Sequence, residues 1–302
     1  MKGPSDDAGQ KKEPGNPGGG TLRARGALKL AIDTLKGLGV AGAADEARAI
    51  MREGLGVDML RIYRDDPPLS QSQLRELKRI LARRKKREPL QYILGFVWFY
   101  GLKIGVGKGA LIPRPETEIL VEEALGRTAG RDRIKILDLC TGSGAIALAL
   151  ARNLPGAEIL ATDVSSDALR WAEKNGRENA AQNVRFLKGD LFGPVQDAVF
   201  DIITANPPYI KDSMLQSLEP EVVCWEPGIA LSGGPDGLDL ARRIISGAPA
   251  HLVQGGLLLM EIAAGTDPDL LAGLARGAGL EMQALVRDLA GLERVFIAAK
   301  KD

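Results

Sequence analysis

Hydrophobic side chains between residues 21 and 88 recur at every third or fourth position. Two such series stand out: Leu28, Ala31, Ile32 and Leu35, followed by Leu74, Leu77, Ile80 and Leu81. This spacing places apolar side chains on one face of an α-helix. The segment Asp65–Ser70, which contains two prolines, interrupts the helical pattern. We therefore predict that residues 21–88 form a small all-α N-terminal domain.

From about residue 134 onward, short apolar runs alternate with helical stretches. Seven runs have the length and composition of buried strands: 134–140, 159–163, 184–188, 200–205, 256–262, 281–287 and 294–298. Strands that alternate with helices form a mostly parallel sheet with helices on both faces. We predict an α/β domain over residues 113–302. Residues 89–112, which contain five glycines, are predicted to be an extended or hairpin linker.

Composition excludes several classes of protein. Residues 1–20 contain nine glycines or prolines and almost no apolar side chains, which predicts a disordered tail. Two cysteines cannot supply a disulfide framework, and a single histidine, His251, excludes a His-rich metal site and disfavours a Ser-His-Asp hydrolase. No apolar run approaches the length of a membrane helix, about 18 residues, and the N-terminus does not read as a secretory signal. The sequence therefore predicts a soluble, cytoplasmic protein without a metal.

Charge is distributed unevenly along the chain. Residues 1–112 carry a net charge of +9 and residues 113–302 a net charge of −8. The basic charge is densest in Lys78–Arg87, where seven of ten residues are Lys or Arg and none is acidic. Two interpretations remain open: a solvated helix face, or a contact to RNA or to an RNA-bound partner, since clustered cations gain from counterion release.

The first motif that carries chemistry is a glycine turn, residues 138–144, between an apolar strand and an apolar helix. In open α/β sheets, ligands bind beyond the carboxyl ends of the strands. Gly142 and Gly144 allow the backbone to approach a ligand closely. Asp163 ends the next strand, where a carboxylate can accept hydrogen bonds from ribose hydroxyls, or it caps the following helix. Asp190 ends the third strand, where it can reach an adenine amino group or simply terminate the strand. Together these residues resemble the S-adenosylmethionine site of class I methyltransferases.

The second motif is Asn206-Pro207-Pro208-Tyr209, at the end of the fourth predicted strand. An ordinary turn explains the prolines but not their position beside the presumed cofactor. The prolines stiffen the loop, so the Asn206 side-chain oxygen and the Pro207 carbonyl can present two acceptors at a fixed separation. A planar NH2 group offers two matching donors, and the Tyr209 ring can pack on its flat face. The motif alone leaves adenine N6, guanine N2 and a glutamine amide open as acceptors of a methyl group.

Further segments complete a family pattern. The stretch Leu111–Glu118 precedes the glycine turn, and four other segments belong to the same pattern: Glu88–Tyr92, Phe99–Leu102, Glu226–Pro227 and Glu293–Val295. Across roughly residues 21–300 the chain resembles the release factor glutamine methyltransferases (the HemK/PrmC family). Cys140 stands where this family more usually has glycine.

The resemblance implies a class I methyltransferase fold, a Rossmann-like and mostly parallel sheet with an antiparallel last strand, preceded by the small all-α domain. It also implies an enzyme that uses S-adenosyl-L-methionine to methylate a glutamine side-chain nitrogen (N5), with S-adenosyl-L-homocysteine as the second product. The glutamine is that of the Gly-Gly-Gln motif of class 1 peptide chain release factors. The helical N-terminal domain then serves in substrate recognition. Its basic charge alone, and not the resemblance, predicts a contact to the release factor or to nearby ribosomal RNA. The alternatives are a nucleic-acid adenine or guanine methyltransferase, a ribosomal protein glutamine methyltransferase, and an inactive cofactor-binding partner of the translation machinery.

Site residues are carried over by position in the resemblance. Asn206 and Pro207 are the expected catalytic residues, and Asn206–Tyr209 are expected to bind the glutamine amide. The residues expected to bind the cofactor are Phe99, Cys140, Thr141, Gly142, Ser143, Gly144, Asp163, Asp190, Leu191 and Asn206. Phe99 and Arg114 are expected to help close the pocket, with an ion pair from Arg114 to Glu116 or Glu118 as the alternative for that arginine.

Overall fold

The computed structural model describes residues 22–128 and 133–301. The chain divides into two compact units, with the boundary between Lys85 and Lys86. The predicted tail, residues 1–20, lies outside the described residues. In the part of the chain that the structure describes, no helix combines the length and the apolar character needed to cross a membrane.

The first unit is helical, which confirms the prediction of an all-α N-terminal region. Its helices are α1 (Ala24–Gly37), α2 (Ala43–Ala49), a π-helical turn (Ile50–Gly54), α3 (Met59–Asp65) and α4 (Gln71–Arg84). Leu28 and Leu35 of α1 and Leu77 and Ile80 of α4 are buried, as the periodicity predicts. Helix α4 begins at a capping box in which Ser70 and Gln73 each bond the other's backbone N–H.

The second unit opens with a short helix and a hairpin. Helix α5 (Leu90–Leu94) follows Pro89 and ends at Gly95, whose φ is +85°. Strands β1 (Phe96–Phe99) and β2 (Leu102–Gly105) pair in antiparallel register. The segment 89–112 therefore contains a helical turn in addition to extended backbone, because Pro89 occupies the N-cap and Gly95 adopts the left-handed conformation that ends a helix.

A seven-stranded sheet forms the centre of the second unit, and its order is β5-β4-β3-β6-β7-β9-β8. Its strands are β3 (Lys135–Leu139), β4 (Glu158–Asp163), β5 (Val184–Lys188), β6 (Phe200–Ala205), β7 (Leu252–Glu261), β8 (Leu280–Arg287) and β9 (Glu293–Lys300). Strands β3 to β7 run parallel, and β9 runs antiparallel to both of its neighbours. The predicted mostly parallel sheet with an antiparallel last strand is confirmed.

Helices cover both faces of the sheet. They are α6 (Glu118–Thr128), α7 (Ala145–Asn153), α8 (Ser166–Glu178), α10 (Asp239–His251) and α11 (Pro268–Gly277), while the short helix α9 (Pro220–Trp225) lies in the connection between β6 and α10. Alternate strand residues enter opposite cores: Ile136 joins the cluster under α6 and α7, and Leu137 joins the cluster under α10 and α11. The sheet is therefore buried on both sides, and its strands read as apolar runs.

The order of the strands reverses beside β3, and this reversal positions the site. From β3 the chain proceeds outward through β4 and β5, then returns to place β6 on the other side of β3. The loops that follow β3 and β6 therefore leave in opposite directions and open a crevice at the carboxyl edge of the sheet. Both sequence motifs, the glycine turn and Asn206–Tyr209, begin at this crevice.

Candidate active site

A cavity of about 560 Å³ opens at the carboxyl edge of the sheet. Most of the predicted site residues line it: Cys140, Thr141, Gly142, Ser143, Asp163, Asp190, Leu191, Asn206 and Pro208. They come from the ends of four parallel strands, so the topology brings together residues that are up to 68 positions apart in the chain. Gly144, Pro207, Tyr209 and Phe99 do not line the cavity.

The two glycines of the turn have different roles. Gly142 has a φ of +58°, lines the cavity, and leaves open space where a Cβ would lie, with no atom nearer than 4.0 Å. Gly144 has a φ of +83° and is the N-cap of α7. A Cβ at Gly144 would lie 3.2 Å from Cβ of Ala172 in α8 and 3.3 Å from the Phe186 ring. Gly144 is therefore required for close packing within the fold, and only Gly142 fits the expected close approach to a ligand.

Cys140 occupies a backbone conformation that favours glycine. Its φ is +56°, in the left-handed region that costs an L-residue about 1–2 kcal/mol. Burial, and then the nearby carboxylates of Asp163, Asp138 and Asp190, raise the pKa of the Cys140 thiol. The thiol therefore stays protonated and acts as a small apolar wall of the cavity. Glycine, which lacks a Cβ, would adopt this backbone angle without that cost.

Asp163 holds the turn to the next loop. One carboxylate oxygen accepts the Gly142 N–H at 2.8 Å, and the other accepts the Ser165 N–H at 2.8 Å. The N-cap of α8 is Ser165, whose hydroxyl accepts the Ala168 N–H, so capping does not account for Asp163. Burial raises the pKa of Asp163, and its backbone hydrogen bonds partly offset that effect. Each oxygen keeps a further lone pair for a ligand hydroxyl.

Asp190 lies on the rim of the cavity with a partner that sequence reasoning missed. Its carboxylate forms an ion pair with Arg243 of α10 at 2.6 Å, and both side chains are more than half exposed. Both residues line the cavity. Leu191, next in the chain, is buried with a φ of +47°. A left-handed leucine at the cavity wall is a strained conformation of the kind that functional sites retain.

Asp138 is a buried acid whose role the sequence left unassigned. It lies in β3 directly across from Thr204 of β6, whose hydroxyl donates to Oδ1 at 2.8 Å. Burial raises the pKa of Asp138 to about 7. Oδ2 of Asp138 and the Thr141 hydroxyl are buried without a hydrogen-bond partner among the described residues. Thr141 lines the cavity whereas the fully buried Asp138 does not, so of these two groups only the Thr141 hydroxyl belongs to a residue that a ligand in the cavity can contact.

The Asn-Pro-Pro-Tyr turn is anchored by side chains from two other segments. Asn206 Nδ2 donates to the Thr117 hydroxyl at 3.2 Å, and that hydroxyl donates to Glu261 at 2.6 Å. The Tyr209 hydroxyl donates to the other oxygen of Glu261 at 3.1 Å. Thr117 and Glu261 are both buried. Burial, reinforced by Glu261, raises the pKa of the Tyr209 phenol, which stays protonated as a donor.

Glycines from the loop before α10 press against the backbone of this turn. Ile210 N–H donates to the Leu231 carbonyl at 3.0 Å, and Gly233 N–H donates to the Ile210 carbonyl at 2.8 Å. A Cβ at Gly233 would lie 2.8 Å from Tyr209 Cα, and one at Gly237 would lie 2.5 Å from the Tyr209 carbonyl oxygen. The Gly-rich run 233–237 was the available signal for this contact, and sequence reasoning did not use it.

Glu226 joins two walls of the cavity. Its side chain is 1% exposed, accepts the Ile112 N–H at 3.1 Å, and pairs with Arg114 at 2.5 Å. Leu111 and Pro113 on one side and residues 227–230 on the other line the cavity. Arg114 therefore pairs with the residue that joins the two cavity walls, and its ion-pair partner is Glu226 rather than Glu116 or Glu118. Glu118 instead accepts the Tyr100 N–H at 2.7 Å.

The structure does not bring Phe99 to the cavity. Its side chain is 1% exposed and lies in the hydrophobic cluster beneath α6 and α7. The alternation of β1 explains the difference, because successive side chains point to opposite faces and Phe99 falls on the buried face. The expectation that Phe99 binds the cofactor is therefore not supported by its position.

Comparison with known families agrees with this architecture. Residues 26–95 match the PrmC N-terminal domain, and residues 115–223 match the Methyltransferase small domain. A methyltransferase from Pyrococcus furiosus shares the fold with a TM-score of 0.50 at 19% identity, covering 67% of this chain and 90% of that one.

Two curated relatives are similar over most of their length. A release factor glutamine methyltransferase from Thermodesulfovibrio yellowstonii is 43% identical over 257 residues, which is 84% of this chain and 92% of the relative. One from Geobacter sulfurreducens is 42% identical over 239 residues, or 79% of this chain and 83% of the relative. With this identity and coverage, and with both family models matched in order, the chain belongs to the release factor glutamine methyltransferase family.

Proposed function

We propose that this methyltransferase transfers a methyl group from S-adenosyl-L-methionine to the side-chain amide nitrogen (N5) of the glutamine in the Gly-Gly-Gln motif of class 1 peptide chain release factors. The proposal rests on family membership and on one observation: Asn206 lies on the wall of the same cavity that the glycine turn lines. An acceptor for a planar NH2 group thus adjoins a nucleotide-type pocket. Because release factors act in translation, the enzyme is placed in the cytoplasm.

The cavity fits S-adenosyl-L-methionine by its size and its donor set. A volume of about 560 Å³ is in the range of small-molecule sites. Gly142 leaves room for close approach, Asp163 has lone pairs for ribose hydroxyls, and Leu191 offers an apolar surface for adenine. The Thr141 hydroxyl has no hydrogen-bond partner among the described residues and belongs to a cavity-lining residue, so a ligand can satisfy it. When bound, the cofactor supplies a methyl group activated by its positive sulfonium.

The protein's task in this reaction is to orient a weak nucleophile. An amide nitrogen is delocalised into its carbonyl, with a rotational barrier of about 18–20 kcal/mol. The Asn206 oxygen and the Pro207 carbonyl accept the two N–H groups, aim the nitrogen, and stabilise the positive charge that develops on it. The nitrogen gains its N–CH3 bond as the S–CH3 bond breaks and S-adenosyl-L-homocysteine leaves, and the nitrogen then loses one proton to water. No side-chain base is required in this scheme.

The decisive experiment is mass spectrometry of a purified release factor after incubation with S-adenosyl-L-methionine and the enzyme. We expect one added methyl on the peptide that contains Gly-Gly-Gln. The Asn206→Ala variant is expected to lower the rate by about 10²–10³, as for loss of one oxyanion-hole donor. Parallel incubations with RNA, DNA and ribosomal protein use labelled cofactor. Label that enters nucleic acid or ribosomal protein alone would reject the release factor as substrate.

We also propose that exposed cations of α4 contact RNA. Arg75 and Lys78 of α4 and Lys85, its C-cap with helical φ and ψ, are exposed. Their spacings of three and seven residues place them on one helix face. Not every cation of the basic run is available: Arg84 is buried and pairs with Glu46 at 2.5 Å, and Arg87 pairs with Glu221 at 2.7 Å. The exposed face therefore supports the RNA interpretation with fewer cations than the sequence suggests.

The test of this contact reverses only exposed charges. The triple variant Arg75→Glu, Lys78→Glu, Lys85→Glu should weaken binding to ribosomal RNA and lower the slope of log affinity against log salt by about 2, at about 0.7 for each lost phosphate contact. Lys29→Glu, Lys36→Glu on α1 is the control for nonspecific loss of charge. Unchanged RNA affinity together with weaker release factor binding would assign the surface to the protein partner instead.

A further inference from the structure

A chain of hydrogen bonds connects the proposed catalytic amide to a buried carboxylate. Asn206 Nδ2 donates to Thr117 Oγ1, which in turn donates to Glu261 Oε2. The other oxygen of Glu261, Oε1, accepts a hydrogen bond from the Tyr209 hydroxyl. Thr117 precedes α6 and Glu261 ends β7, so three separate segments meet at this point. Neither Thr117 nor Glu261 was a predicted site residue.

The supply of protons fixes the direction of this chain. The hydroxyls of Thr117 and Tyr209 each donate to a different oxygen of Glu261, and both oxygens of that carboxyl group act as acceptors. Thr117 has one hydroxyl proton, and once that proton points to Glu261 its oxygen can only accept. The Asn206 group that faces Thr117 must therefore be the NH2 end of the amide. The oxygen end remains for the cavity that Asn206 lines.

The carboxylate is unusual because it is buried without a cation. Glu261 is 2% exposed and forms no ion pair within 4.0 Å among the described residues. Burial raises the pKa of Glu261, and the hydrogen bonds from Thr117 and Tyr209 and the charge of Arg294 offset this only in part. Arg294 is itself paired with Asp288 at 2.8 Å. A buried charge held only by hydroxyl donors generally costs stability relative to an apolar side chain. A role in orienting Asn206 accounts for its presence.

We propose that Thr117 and Glu261 are positioning residues that determine which end of the Asn206 amide faces the substrate. This inference rests on the proposed function, since it assumes that Asn206 receives an NH2 group. Without these hydrogen bonds, the Asn206 amide can rotate by half a turn. Its own NH2 group would then face the NH2 group of the substrate, which is repulsive. With the chain intact, the acceptor oxygen is oriented before the substrate binds, so no reorganisation is needed during transfer.

The first experiment removes a single hydroxyl. Thr117→Val is nearly isosteric and should lower kcat for methylation of the release factor by about 10- to 100-fold, as for misplaced catalytic groups. Thr117→Ser keeps the hydroxyl and should remain within about threefold of wild type. Thr128→Val is the matched control, because Thr128 is a buried threonine at the end of α6 that donates to the Leu125 carbonyl at 2.8 Å. This control should retain wild-type kcat.

A double-mutant cycle separates positioning from general disruption. If Thr117 acts through Asn206, Thr117→Val should have no further effect on kcat in an Asn206→Ala background. Glu261→Gln should resemble Thr117→Val, because a glutamine NH2 can donate to Thr117 and reverse the chain. Equilibrium binding of S-adenosyl-L-methionine and the thermal midpoint are measured for each variant, and both should stay near those of Thr128→Val.

The outcomes distinguish this inference from the proposed function. If wild-type enzyme methylates a release factor and Thr117→Val is as fast as Thr117→Ser, the positioning role is wrong and the function stands. Additive losses in the double mutant would also overturn it. If wild-type enzyme methylates no release factor, the proposed function itself fails. In that case, the same cycle is run on whichever substrate accepts the label.

Discussion

The two halves of the candidate site are built by different means. The half around the glycine turn depends on backbone shape: Asp163 bonds the backbone of Gly142 and Ser165, and three residues of the turn have positive φ. The half around Asn206–Tyr209 depends on side chains from distant segments, with 89 positions between Asn206 and Thr117 and 144 between Thr117 and Glu261.

This difference predicts which kinds of substitution impair each half of the site. A half built from backbone fails when a residue cannot adopt the required φ, and we expect that failure to appear in cofactor affinity. A half built from distant side chains fails when one hydrogen-bond partner or one packing glycine changes, and we expect that failure in turnover. Substitutions that separate the two readouts test whether the halves are independent.

Among the substitutions chosen to separate turnover from cofactor affinity, Gly233→Ala has the largest expected effect. The added Cβ would lie 2.8 Å from Tyr209 Cα and 2.8 Å from the Gly237 carbonyl oxygen, so the Asn206–Tyr209 turn must shift. A displacement of about 1 Å is expected to lower kcat about 10²-fold. Cofactor affinity, measured by calorimetry, should change little. The control is Gly273→Ala in α11, where a Cβ meets nothing within 4 Å.

The second-largest effect is expected on cofactor affinity, in the half of the site around the glycine turn. Gly142→Val places a β-branched residue at a φ of +58°, which costs about 1–3 kcal/mol. If ligand binding requires the left-handed conformation, the valine variant must adopt it at that cost when the ligand binds. The dissociation constant for S-adenosyl-L-methionine should then rise by about 10- to 100-fold, since about 1.4 kcal/mol corresponds to a factor of ten. Gly142→Asn tolerates the left-handed conformation better and should lose less affinity. Equal loss in both variants would argue against backbone strain as the cause.

A third prediction concerns pH. Burial raises the pKa of Asp138 to about 7, so the folded state favours the protonated acid. The stability that this proton contributes is complete below the unfolded pKa of about 4 and is lost as pH rises through about 7. Urea denaturation from pH 5 to pH 8 should show wild type losing stability relative to Asp138→Asn, by about 1.4 kcal/mol per unit of pKa difference. Parallel curves would show that Asp138 does not titrate in this range.

The smallest effect is expected at Cys140. Cys140→Gly removes the cost of a left-handed cysteine, about 1–2 kcal/mol, but it also removes a small half-buried side chain and adds flexibility to the unfolded chain. The free energy of unfolding should therefore stay within about 1 kcal/mol of wild type. Cys140→Val keeps the strain, adds a β-branch, and should be clearly less stable. The reverse order of stability would contradict the assignment of strain to this position.

The fold and the glycine-turn half of the site could be predicted from local patterns in the amino-acid sequence. Alternating apolar runs predicted every strand of the seven-stranded sheet, and Asp163 was predicted from its spacing after the glycine turn. Such features are local, because hydrophobic period, glycine content and strand ends depend on neighbouring residues. Parallel strands then bring their carboxyl ends to one edge, so residues at those ends converge without further information.

The hydrogen-bond and ion-pair partners of individual side chains depend on tertiary packing and could be read only from the structure. Thr117 and Glu261 meet Asn206, Arg114 meets Glu226, and Arg84 is withdrawn from the basic surface by Glu46. Phe99 was placed in the core by the pleat of β1, and Gly144 by the packing of α7 on α8. A hydrogen bond or ion pair between distant residues depends on how whole elements pack, and no local pattern along one chain encodes that arrangement.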